Sequence, residues 1–144
     1  MVLLNQGQNT SPATCSRNKE LTGAVCYLWS MKHKLSGQTW RFVPYQIPAT
    51  VNYSPAYDLF SIKIDYDTPE VLTGCTTTGC TNVHLIEGEY YIKIWEQTLA
   101  QSGNTNPSVA YNVVYETIGQ VFSSGSTQPV SYSGNSDVFK VYEG

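Results

Sequence analysis

The chain has 144 residues, 41% of them hydrophobic and only 13% charged, about half the ~25% charge of an average globular domain. Eight Lys and Arg against 11 Asp and Glu leave a net charge of −3, and beyond Lys32, Lys34 and the isolated Arg41 there is no basic cluster, which argues against the counterion-displacing footprint of sequence-specific nucleic-acid binding. No run approaches ~18 apolar residues, so no membrane span is expected.

One domain is expected from the length, burying roughly two-thirds of its unfolded surface without a staple. A low-charge surface rich in Ser, Thr, Asn, Gln and Tyr suits an extracellular protein or a subunit held inside a larger assembly. The opening MVLLNQGQNTSP lacks the basic and apolar regions of a signal peptide. The chain is therefore expected in the cytosol, or outside by another route such as cell lysis.

In chain order, residues 1–24 read as a polar, turn-rich arm leading into a domain of residues 25–144. Its short apolar start, Val2-Leu3-Leu4, could pair as an edge strand. Residues 26–33 (CYLWSMKH) form the first clear strand, with Tyr27, Trp29, Met31 and His33 on one face. A hairpin turn centred on Ser36-Gly37 follows. Residues 39–45 (TWRFVPY) return, with Pro44 near the end, where a missing N–H is tolerated. A Pro-punctuated connection covers 46–58.

Residues 59–67 (LFSIKIDYD) alternate cleanly. Phe60, Ile62, Ile64 and Tyr66 are expected in the core; Ser61, Lys63, Asp65 and Asp67 are expected in solvent. A loop with Cys75 and Cys80 precedes 83–97 (VHLIEGEYYIKIWEQ), which reads as a short strand, a turn at Glu87-Gly88 and a longer strand. There Tyr90, Ile92 and Ile94 share one face, and Tyr91, Lys93 and Trp95 the other. After a polar loop, residues 109–122 read as a strand pair broken or bulged near Gly119. Val130 and Tyr132 suggest a short strand, and residues 138–142 a final one that closes a sheet on an early strand.

Roughly seven or eight strands at short spacing, with no helix, predict an all-β fold: an antiparallel β-sandwich, immunoglobulin-like or jelly-roll, with an extended N-terminal arm. Strand order is not written in periodicity, so the two topologies stay open.

Chemistry-bearing patterns are sparse. The carboxylates Asp58, Asp65, Asp67 and Glu70, then Glu87, Glu89 and Glu96, lack the framing of a glycosidase pair or a calcium loop and read as solvated faces. There is no nucleophile elbow, reactive Cys-x-x-Cys, phosphate loop or dinucleotide fingerprint. The spacings of Cys15, Cys26, Cys75 and Cys80 do not make zinc knuckles, and His33 and His84 are not placed to help. A Cys75–Cys80 bridge would close the loop CTTTGC in an oxidising setting, whereas free thiols are expected in a reducing cytosol. No catalytic residue, metal or cofactor is expected. The aromatics are more informative, since Trp29, Trp40 and Trp95 can pack inside or stand out to stack on sugars or partner proteins.

Five segments carry a resemblance: Leu4 to Gln8 (LNQGQ), Tyr27 to Trp29 (YLW), Phe60 to Ile62 (FSI), Gly88 to Gln97 (GEYYIKIWEQ) and Val113 to Gly119 (VVYETIG). Together they resemble a small structural protein found in phages of Bacteroidota, with an L-N-Q-G-Q-like start, a Y-L-F/W strand, an F-x-I strand, a G-x-Y-x-Y-x-I-Y-E-Q segment and a V-V-E-x-G strand. Ile92 stands where that pattern has its second Tyr, and Trp95 where it has a Tyr before Glu-Gln. Extra residues separate Val114 from Gly119, and 73–82 with its two cysteines lies outside the pattern.

The resemblance implies a non-enzymatic, multi-copy virion component assembled in the host cytoplasm: a head–tail connector, tail or ring subunit, or a capsid-associated spike or penton. Its partners would be other copies of itself and other virion proteins. The arm is then a candidate for adding a strand to a neighbour's sheet, and Leu3, Leu4, Asn5, Gln6, Tyr91 and Trp95 are the expected interface residues. The alternative is a carbohydrate-binding module recognising a host-surface glycan through exposed aromatics. A glycosidase acting through Asp65 or Asp67 ranks last.

Overall fold

A computed structural model describes residues 1–15, 19, 25–48, 58–73 and 76–123. Strand makes up 51% of them and no helix reaches seven residues, so the fold is mostly β as the alternation predicts. The strands are β1 (Val2–Asn5), β2 (Asn9–Thr10), β3 (Ala13–Thr14), β4 (Val25–His33), β5 (Thr39–Phe42), β6 (Tyr45–Gln46), β7 (Asp58–Lys63), β8 (Gly88–Thr98) and β9 (Asn112–Phe122).

Five of them form a mixed sheet in the order β1-β9-β8-β4-β5, in which only the β1–β9 pair is parallel. A smaller antiparallel sheet gathers β2, β3 and β6 on β7. The hydrophobic core lies where the two sheets meet. Trp29 of β4 packs edge-on to Phe60 of β7, centroids 5.2 Å apart, and Tyr27 meets Phe60 at 5.6 Å. Tyr90, Ile92 and Ile94 of β8 and Ile62 and Ile64 of the second sheet join the same cluster. The faces read from alternation on β4 and β8 are therefore the core faces.

The structure departs locally from these expectations. The return strand expected over 39–45 is two strands. At Val43-Pro44 the chain leaves the first sheet, with Val43 N–H donating to Leu72 O (2.7 Å), and re-enters pairing as β6 against β7. Proline has no N–H for the ladder, so the switch falls there.

The strand expected over 59–67 ends at Lys63. Asp65 accepts the Asp67 N–H on Oδ1 (3.0 Å), an Asx turn that bends the chain and leaves Tyr66 48% exposed rather than in the core. Ser61, expected in solvent, is fully buried, because Asn9 of β2 and the Gly79 backbone cover it: its hydroxyl donates to Asn9 Oδ1 (3.0 Å) and accepts the Gly79 N–H (2.9 Å).

The region 109–122 is not a strand pair but one continuous strand, β9, preceded by a 3₁₀ turn at Pro107–Val109. The irregularity expected near Gly119 lies instead between Ile94 and Trp95 of β8, which face Tyr115 and Val113. Val114 is the extra residue of this bulge. The short strand expected before Glu87 is absent as a named strand, although Asn82 makes isolated bridges to Lys63 and Val71.

At the start of the chain, Val2–Asn5 is an edge strand of the chain's own sheet. β2 and β3, also within the expected arm, pair with β7. Val2 and Leu4 are core residues because the parallel register on β9 turns them inward. The strands expected around Val130 and Tyr132 and over 138–142 fall outside the described residues.

Candidate functional site: the outer face of the five-stranded sheet

On β8 the residues that alternate with the core set emerge on the far side of the first sheet. Register assembles that side in rows. Ile118, Tyr91, Lys32 and Thr39 form one row across β9, β8, β4 and β5; Glu116, Lys93, Ser30 and Arg41 form the next; Val113, Trp95 and Leu28 follow, where the face is covered, with Leu28 fully buried and Trp95 half-buried. In the other direction Leu3 extends the row of Gln120 and Glu89 onto β1. The centre is apolar and open: Tyr91 is 57% and Ile118 42% exposed, and they stand directly opposite one another. A shallow depression of ≈ 440 Å³ lies beside them, bordered by Ser30, Lys32, Lys93 and Glu116.

Charge is arranged around this centre. Lys34 sits with its ammonium 4.8 Å from the centroid of Tyr91 and donates to Glu89 (3.1 Å). Lys93 sits 5.6 Å from the centroid of Trp95 and 3.3 Å from Glu116. Exposed pairs of this kind add about 0–1 kcal/mol, so they do little for stability. Their consequence is local: one face of the Tyr91 ring and one face of the Trp95 ring each carry an ammonium group.

The structure thus brings together Leu3, Asn5, Tyr91 and Trp95 of the expected interface residues on one sheet face. It separates the other two. Leu4 is fully buried in its own core and is not available to a partner, because consecutive strand residues point to opposite faces. Gln6 is tied within the chain, its amide donating to Tyr66 Oη (3.0 Å) and Leu85 O (3.1 Å). Ile118 and Glu116 were not singled out from the sequence, and Lys32 and Arg41 stood out there only as scattered basic residues, not as parts of a face. The alternation of β8 alone could not find them, since they join the face through register with β9, β4 and β5.

The carboxylates following β7 do not converge on a common point. Asp65 is turned onto the Asp67 N–H, Lys63 Nζ (3.3 Å) and Thr68 Oγ1 (3.3 Å); the backbone N–H foremost, with Lys63, holds its carboxyl below the ordinary aspartate range. Glu70 instead accepts the His84 N–H (3.1 Å). Asp65 and Asp67 belong to a turn rather than to the polar face of a strand. Among the described residues no three His, Cys, Asp or Glu side chains form a metal-sized group.

A second concavity, ≈ 450 Å³, lies beside Cys26, Tyr27, Pro44, Tyr45 and Gln46. The Cys26 thiol donates to Gln97 Oε1 (3.5 Å) and Thr98 O (3.4 Å), and burial pushes its pKa up, so it stays protonated and is a poor nucleophile. Cys15 and Cys26 are free, but Cys80 is disulfide-bonded, which corrects the expectation of free thiols at that position; Cys75 lies outside the described residues.

His33 is structural. Ser36 N–H donates to Nδ1 (3.1 Å), which places the proton on Nε2 for donation to Glu87 O (3.0 Å). The ring thereby joins the β4–β5 turn to the start of β8.

No helix among the described residues is long and apolar enough to cross a membrane. No family model, curated protein or solved structure matches this chain.

Proposed function

We propose that the protein is a non-enzymatic assembly subunit, a multi-copy structural component of a phage virion, which docks on other protein chains through the outer face of its five-stranded sheet. The observation that carries this reading is the Tyr91–Ile118 pair, open at the centre of a sheet face with Trp95 and Leu3 on the same side. A cross-strand aromatic–aliphatic pair rimmed by polar groups has the anatomy of a protein–protein contact. The motif resemblance supplies the virion context: a connector, tail, ring, spike or penton subunit.

We read the two packed sheets as a β-sandwich. The contact belongs to the sheet face rather than to an N-terminal arm, since Val2 and Leu4 already sit in the chain's own core.

The glycan-binding alternative draws on the same aromatics. It is disfavoured by the positions of Lys34 and Lys93, whose ammonium groups each cover one face of the Tyr91 and Trp95 rings and compete with a stacked sugar. Light scattering on the purified protein and on Tyr91→Glu tests the proposal. Discrete multimers that dissociate in the variant support it. Multimers unchanged by Tyr91→Glu remove the face from the account, and a monomer that binds oligosaccharides on a glycan array replaces it with the alternative.

A further inference from the structure

We propose that the occupant of this face is the acidic turn, residues 65–70, of a second copy of the chain, so that copies join head to tail. The inference rests on the docking reading above and names its partner.

Four of the chain's eight Lys and Arg, Lys32, Lys34, Arg41 and Lys93, lie on or at the rim of the one sheet face. Lys34 and Lys93 are paired with Glu89 and Glu116. Among the described residues Lys32 and Arg41 have no ion-pair partner. Lys32 on β4 stands directly opposite the exposed Tyr91, and Arg41 lies on the adjacent row one strand further out, on β5. Among the described residues the face therefore offers an apolar centre with two unpaired cations to one side, which calls for an acidic surface carrying an apolar group.

The same chain presents such a surface. Residues 66–70 are exposed and include Tyr66, Asp67 and Glu70. Their shape is held from beneath by the buried Asn82, whose amide lies 2.8–3.2 Å from Thr68 Oγ1, Asp65 O, Pro69 O and Thr68 O. A turn already held in one shape loses little conformational freedom on docking.

The turn follows β7 in the second sheet, whereas the cations lie on the outer side of the first. The contact joins two different patches, which makes it heterologous. Repetition then gives a closed ring if the rotation closes and a filament if it does not.

Charge reversal tests this. One variant carries Lys32→Glu and Arg41→Glu, the other Asp67→Lys and Glu70→Lys; all four sites are exposed, and circular dichroism with thermal melting checks that each variant folds. Sedimentation of the wild type should show association that weakens as salt rises from about 50 to 300 mM, through Debye screening. Each variant alone should associate about 100-fold more weakly, because like charges are brought together. Their equimolar mixture should regain assembly, since each reversed patch meets its reversed complement.

A wild type that stays monomeric at low salt overturns the inference, as does association unchanged by either reversal, or a mixture that stays monomeric. The docking reading fails separately, when Tyr91→Glu leaves the mass of the wild-type multimer unchanged.

Discussion

Asn82 illustrates how a single buried side chain holds a turn. Its Oδ1 accepts the Asp65 N–H (2.9 Å), while its amide nitrogen faces four oxygens of residues 65–69. Its own N–H and C=O bridge Val71. Asn82→Ala removes the side-chain partner of several polar groups at once, so it should cost about 3 kcal/mol, within the 1–3 kcal/mol expected for each buried group left unpaired; the shift of a urea unfolding midpoint measures it.

Tyr90 acts at the same scale. Its hydroxyl donates to Ile86 O (2.6 Å), and burial raises its pKa far above the ordinary tyrosine value. The folded state then keeps a proton that the unfolded chain releases near pH ~10. The associated stability is full below that pH and is lost as pH rises above it towards the folded-state value. Tyr66 and Tyr27, also raised chiefly by burial, act in the same direction. Melting temperature should fall above pH ~10, and Tyr90→Phe should flatten that fall while lowering stability at neutral pH by about 1 kcal/mol. None of these roles was visible in sequence: Asn82 lies in the loop before residue 83, with no pattern to mark it, and the hydroxyl of Tyr90 meets a carbonyl only because the chain turns back before β8.

Between elements, packing is tight where β9 lies between β1 and β8. A Cβ built on Gly119 would lie 2.5 Å from Ile92 Cδ1 and 3.1 Å from Val2 O, so glycine lets β1, β9 and β8 pack this tightly. Gly119→Ala should destabilise by about 1–3 kcal/mol, the usual cost of overpacking a core. Adding Ile92→Val, which removes the methyl group in the way, should recover part of that loss in a double-mutant cycle of unfolding free energies.

Gly88 is constrained more severely. Its φ is +136° and an added Cβ would collide with His33 Nε2, so Gly88→Ala should strain the start of β8 and break the His33–Glu87 bond together. The sequence marks Gly119 as an interruption because glycine weakens an isolated strand. In the folded chain it permits close approach instead, and the bulge appears at Val114, where apolar residues in succession carried no mark.

At the scale of the whole molecule, Tyr91, Ile118, Lys32 and Arg41 contribute surface character more than stability. Exposed substitutions away from caps and turns usually stay within ~0.5 kcal/mol, so Ile118→Lys should leave the melting curve nearly unchanged while lowering association measured by light scattering. A large drop in melting temperature would instead make the face part of the fold's own stabilisation. The all-β class and the core faces of β4 and β8 could be read from the sequence. The period of two is a property of each strand by itself, and any sheet burying one face must respect it. The partition of strands between two sheets could not be read, because it turns on Val43-Pro44, where a hydrogen bond to Leu72 redirects the chain. Nor could the rows that set Ile118 beside Tyr91 and Lys32, or the burial of Leu4. Those depend on which strands pair and in what register, which only long-range contacts between distant segments decide.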